Sequence, residues 1–83
     1  MRFTVIWDES VQDELARIWL QAADQQAVAD AADHIDHLLK FSPERVGQAY
    51  DGDRRLIVEP LEVIYSVSME DCMVRVLHVD LLS

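Results

Sequence analysis

The stretch Leu61-Glu62-Val63-Ile64-Tyr65-Ser66-Val67-Ser68-Met69 decides the fold class. Leu61, Val63, Tyr65, Val67 and Met69 occupy alternate positions, with Glu62, Ile64, Ser66 and Ser68 between them. An extended segment with that period has one core face and one wetter face. Glu70-Asp71 supplies a polar hairpin tip, although it lacks the Asn-Gly or Asp-Gly of the favoured primed turns. Cys72-Met73-Val74-Arg75-Val76-Leu77-His78-Val79 then reads as the next strand. Upstream, from Arg54, Leu56 and Val58 alternate with Arg55 and Ile57 until Glu59-Pro60 punctuates the pattern. Three successive strands with one apolar face require a second layer to cover that face.

The residues before Arg54 supply it. Arg2-Phe3-Thr4-Val5-Ile6-Trp7 is aromatic and β-branched, which predicts an opening strand. Asp8-Glu9-Ser10 offers N-cap oxygens, and Ser10 followed by Asp13 resembles a capping box with Asp in place of Glu, so a helix is expected from there. Val11, Leu15, Ile18, Trp19 and Ala22 form its apolar stripe. Asp24 can cap a second helix, whose stripe is Val28, Ala32, Ile35 and Leu39 flanked by Ala31 and Leu38. Lys40 suits the last turn and Ser42-Pro43 ends it. Residues 42 to 53 read as a polar loop containing Gly47 and Gly52. The expected architecture is α+β: a single domain over residues 1–83 with element order βααβββ, a helical hairpin packed on a small, mainly antiparallel sheet.

Composition narrows the function. In 83 residues, sixteen acidic side chains against seven basic ones give a formal charge of -9. That balance disfavours direct nucleic-acid binding, which draws on Lys and Arg to neutralise phosphates. One cysteine, Cys72, excludes an intramolecular disulfide and zinc sites built from several thiolates. The N-terminal apolar stretch is too short for a signal peptide, and no run approaches a membrane span, so no membrane association and a cytoplasmic location are expected.

Several side chains invite a chemical reading. Arg55 points to the wetter face, where it can contact an anion or a partner or sit in a solvated ion pair. Arg54 and Arg75 carry the same two readings. Tyr65 lies on the apolar side, where a half-buried ring with its hydroxyl at the edge is the ordinary explanation. Strict alternation puts His78 on the face of Val74 and Val76, predicting a partly buried imidazole. Asp30, Asp33, His34 and His37 share one helix face with a chelating His pair. That face is opposite the apolar stripe and reads as solvated, so neither a metal nor a cofactor is expected. Trp7 and Trp19 fall at interior positions, and Asp71 beside Cys72 does not favour a reactive thiolate.

Taken together, Phe3-Thr4-Val5-Ile6-Trp7, Leu38-Leu39 with Pro43 before Gly47, Arg55-Leu56, Val63-Ile64-Tyr65-Ser66-Val67 and Val74-Arg75-Val76-Leu77-His78 resemble, in order and spacing, the RelE/ParE superfamily of toxins from bacterial type II toxin-antitoxin modules. The resemblance covers nearly the whole chain. It implies a toxin neutralised by a cognate antitoxin and acting on the ribosome as an mRNA endonuclease in one branch or on DNA gyrase in another. Similar mRNA-cutting toxins carry Arg at the position of Glu62 and a basic, tyrosine-bearing segment after the last strand, where this chain reads Val79-Asp80-Leu81-Leu82-Ser83. A carboxylate at Glu62 repels the phosphate that such an enzyme must hold, which disfavours ribonuclease chemistry.

The expected function is therefore target binding in the manner of ParE. The alternatives are an mRNA endonuclease that uses Arg54, Arg55, Arg75 and His78 in a rearranged constellation, with Arg55, Arg75 and His78 as the catalytic candidates, or a non-toxic binding module of the same fold. Partner contacts are expected at Arg54, Arg55, Glu62 and Tyr65. The charge of -9 predicts an antitoxin whose contacting segment is neutral or basic.

Overall fold

In the computed structural model, which describes residues 2–82, the chain forms β1 (Thr4–Trp7), α1 (Glu9–Gln21), α2 (Gln25–Phe41), β2 (Gln48–Tyr50), β3 (Asp53–Val58), β4 (Leu61–Ser68) and β5 (Met73–Leu81). Among the described residues the strands make one mixed sheet in the order β1-β5-β4-β3-β2. β1 runs parallel to β5 and every other neighbour pair is antiparallel. The architecture is the expected α+β layer of two helices on a sheet, with one more strand than anticipated: the order is βααββββ.

The core forms where the three apolar patterns meet. Val63 and Tyr65 of β4, Val74 and Val76 of β5, and Ile35 and Leu39 of α2 have no accessible surface. Each such aliphatic side chain contributes about 1.5–3 kcal/mol by leaving water. Helix α1 buries only Val11 and Ile18, one contact per two turns. Helix α2 buries four residues, Val28, Ala31, Ile35 and Leu39. Asp24 caps it as expected, accepting the Ala27 N–H at 3.0 Å.

Four local expectations are corrected. The Ser10–Asp13 capping box does not form: α1 begins two residues earlier, with Asp8 at the N-cap and its carbonyl accepting the Val11 and Gln12 N–H groups at 2.9 Å. Trp19 is not a core anchor but 40% exposed, because α1 turns it toward the open side of the helix pair. Met69 leaves the β4 pattern and is exposed in the turn. Part of the predicted polar loop is β2, whose residues pair with β3 as Gln48 to Arg55, Ala49 to Arg54 and Tyr50 to Asp53. All three β2 residues are exposed, so no apolar alternation announces the strand.

A fifth correction concerns His78. Ile64 pairs with His78 and Tyr65 with Val76, which leaves Leu77 as the extra residue of a β-bulge. The bulge shifts the side-chain phase of β5 by one position. Val79 is then buried in the place alternation assigns to His78, and the imidazole is turned to the exposed face.

Candidate functional site

The outer face of the sheet, opposite the helices, carries the charged residues. Arg55 alternates with buried Leu56 on β3 and so projects outward. Its neighbour across β4 is Ile64, whose own neighbour on β5 is His78. One strand row therefore runs Gln48, Arg55, Ile64, His78. Strand spacing puts Arg55 and His78 about 10 Å apart at the backbone. The next row runs Ile57, Glu62, Asp80.

Between these rows the Arg55 Nη2 donates to Glu62 Oε2 at 2.7 Å. That hydrogen bond holds the Glu62 carboxyl below the ordinary carboxylate range, against the opposing effect of partial burial. The same bond raises the Arg55 guanidinium. Arg75, also outward, sits with Nη1 3.4 Å from Asp8 Oδ1, and the His78 Nε2 lies 4.0 Å from Asp80 Oδ2. Each cationic or titratable candidate on this face is thus set beside a carboxylate. Around them Ile57 and Leu77 expose apolar surface.

Arg54 and Tyr65 lie on the other side of the sheet. Arg54 donates from Nε and Nη2 to the Val46 carbonyl at 3.2 and 3.0 Å and from Nη2 to the Gly47 carbonyl at 3.2 Å. The Tyr65 hydroxyl lies 2.9 Å from the Pro43 carbonyl and 3.0 Å from that of Val46. Its ring is fully buried rather than half-buried, and burial pushes the phenol up from its ordinary value. Together the two side chains hold the segment 43–47 that leads into β2. The structure brings Arg55, Glu62, Arg75 and His78 together on one face and places Arg54 and Tyr65 beneath it as supports.

The pairing of Arg55 with Glu62 was not anticipated. The signal for it is the two-residue connection Glu59-Pro60, which closes β3 on β4 with Val58 opposite Leu61 and so sets Ile57 opposite Glu62. Arg55 and Glu62 are then diagonal neighbours of opposite charge on one face. On α2, Asp30 accepts from Gln26 Nε2 at 2.8 Å and His37 packs on Phe41 with ring centroids 4.8 Å apart. Among the described residues, no three His, Cys, Asp or Glu side chains are grouped to hold a metal ion.

No family model matches the sequence, and no curated protein matches it. Solved structures do match the fold. A chain of the toxin-antitoxin complex RelBE2 from Mycobacterium tuberculosis superposes with a TM-score of 0.81 at 19% identity, over 98% of this chain and 99% of that one. A chain of the chromosomal ParDE system of P. aeruginosa gives 0.75 at 17% identity, over 99% and 98%. The isolated E. coli RelE toxin gives 0.67 at 15%, over 98% of this chain and 85% of that one. The fold is that of the RelE/ParE toxins, as the sequence resemblance implied.

Proposed function

We propose that this chain is the toxin component of a toxin-antitoxin pair, neutralised by a partner protein, and that it acts by binding a cellular protein target rather than by cutting RNA. The end-to-end likeness to chains of the RelBE2 and ParDE systems carries the toxin reading. The state of the outer face supports the choice of mechanism. Cleaving RNA with its own 2′-hydroxyl needs a base, an acid and cations to stabilise the phosphate as charge builds. Here the Arg55 guanidinium is committed to Glu62 and Arg75 lies beside Asp8. A face of neutralised cations interleaved with Ile57 and Leu77 suits a protein surface better than a polyanion. DNA gyrase and the ribosome are the two target classes to test. With a chain charge of -9, the neutralising segment is neutral or basic. Among the described residues no helix is long and apolar enough to cross a membrane.

The second reading, an mRNA endonuclease, is favoured by one observation: Arg55, Arg75 and His78 do share a face. Tightly controlled induction in a bacterial host, beside Arg55→Ala, tests the proposal. Growth arrest by the parent, without new ribosome-dependent mRNA ends in primer extension, is the expected result. New cleavage ends favour the endonuclease. Unimpaired growth with soluble protein present favours a non-toxic binding module.

A further inference from the structure

We infer that two copies of this chain pair face to face through the outer surfaces of their sheets. The pairing stands without the toxin reading. One consequence does rest on that reading: the face that meets the target is the face each copy covers on the other.

The first observation is the order of the rows. Arg55, Ile64 and His78 stand side by side across β3, β4 and β5, and the adjacent row is Ile57, Glu62 and Asp80. Nitrogen-bearing side chains belong to one row and carboxylates to the other. A two-fold axis lying in the interface, parallel to the rows and midway between them, reverses their order and keeps each strand over its own counterpart. His78 then faces Asp80 of the second copy. Arg55 lays its aliphatic stem on the second copy's Ile57 and brings its head within reach of that copy's Glu62. Every contact occurs twice, so a row of one sign meets a row of the other on both sides of the axis. Strands that run antiparallel across the contact suit the aligned packing of two sheets.

The second is where the charge lies. A chain of charge -9 repels its own copy wherever carboxylates gather. Glu9, Asp13 and Glu14 are on α1, and Asp30, Asp33 and Asp36 are on α2, all in the helical layer. In the two rows of the outer face, by contrast, Arg55 is bonded to Glu62 at 2.7 Å and His78 Nε2 lies 4.0 Å from Asp80 Oδ2. A uniformly acidic or basic surface gains little from such a face, whereas its own inverse gains on every row.

The third is accessibility. The His78 and Asp80 side chains are 57% and 64% exposed. Ile57 is exposed and Ile64 half-buried between them. Apolar groups set among charges that can pair across a contact have the make-up of a non-obligate interface. The face is about 20 Å square by strand spacing and rise. Two such faces bury about 1,000 Å² in all, at the low end of specific interfaces, which makes the dimer a reversible one with Kd on the order of 10 μM.

Sedimentation equilibrium of the whole folded chain, from about 1 μM to about 1 mM, tests the pairing. A monomer–dimer equilibrium that goes no further is expected, because an isologous contact closes at two. Ile57→Lys sets a cation under the second copy's Arg55 and should weaken the dimer about tenfold or more. His78→Asp and Asp80→Lys, both at exposed positions, should each weaken it about fivefold. An equimolar mixture of those two variants should restore it as a heterodimer. There the introduced lysine meets the introduced aspartate, while the remaining His78 and Asp80 meet as before. Asp33→Asn, in the helical layer, should change nothing.

A chain monomeric over the whole range overturns the inference, and so does growth beyond a dimer. A dimer indifferent to Ile57→Lys in a variant with unchanged circular dichroism, or a mixture no tighter than either variant alone, overturns it as well. The toxin reading fails separately: a chain that dimerises this way and is harmless in cells keeps the interface and discards the toxin. Growth arrest by a chain that stays monomeric does the reverse.

Discussion

Arg55 of β3 and Glu62 of β4 are joined diagonally across the outer face, Nη2 to Oε2, at 2.7 Å. The link sets a carboxylate beside a guanidinium that would otherwise stand unpaired on the outer face. Because the bond depresses the Glu62 carboxyl, the stability it adds is present above the unfolded carboxylate's pKa and drains away as pH falls through the folded value. Arg55→Ala should therefore return Glu62 toward the ordinary range and flatten the acid limb of the stability profile. A carboxyl-carbon NMR titration reads this directly, and an unmoved Glu62 midpoint refutes it.

Tyr65→Phe removes the hydroxyl that meets the Pro43 and Val46 carbonyls. The Val46 carbonyl keeps Arg54, whereas that of Pro43 loses the partner seen here. A cost of about 1–2 kcal/mol in urea unfolding is expected. The phenol is raised in the folded state, so its contribution is complete below the unfolded tyrosine's pKa and is lost as pH rises through the folded value. The alkaline limb of the parent's stability curve should accordingly be steeper than that of the variant.

Gly47 and Gly52 both have positive φ, at 71° and 88°. A Cβ at Gly47 would lie 2.6 Å from the Arg55 carbonyl oxygen, whereas at Gly52 nothing lies within 4 Å. Gly52→Ala should cost only the left-handed backbone penalty of about 1–2 kcal/mol. Gly47→Ala should cost distinctly more, since backbone must move as well. Equal urea midpoints for the two variants would contradict this account.

Arg54→Lys keeps the charge and loses the planar fork that spans two carbonyls. The segment entering β2 should loosen before the rest of the sheet does. Native-state hydrogen exchange should show faster exchange at Gln48–Tyr50 than in the parent, with β4 and β5 unchanged. Uniform acceleration across the sheet would instead mark a global loss of stability.

Much of this molecule is legible residue by residue. The period-2 pattern of Leu61, Val63 and Tyr65 reappears as three fully buried side chains. Asp24 caps α2, and Ser42 stands just past its end at Phe41. The outward position of Arg55 follows from Leu56 beside it. The short strand β2 was not legible, since three exposed residues carry no alternation and are held in the sheet by backbone pairing with β3. Nor was the exposure of His78, which depends on where Leu77 bulges out of register with β4.

The division has a physical cause. Helix stripes, strand alternation and the Asp24 cap are short-range consequences of backbone period and side-chain chemistry, and they determined the α+β class and most of the core from the sequence by itself. The bulge at Leu77, the clasp of Arg55 on Glu62, the spending of Arg54 and Tyr65 on the segment 43–47, and the row of Arg55 and His78 beside that of Glu62 and Asp80 join residues on separate elements. Only the tertiary structure decided these, because strand register and helix packing set which side chains come within bonding distance.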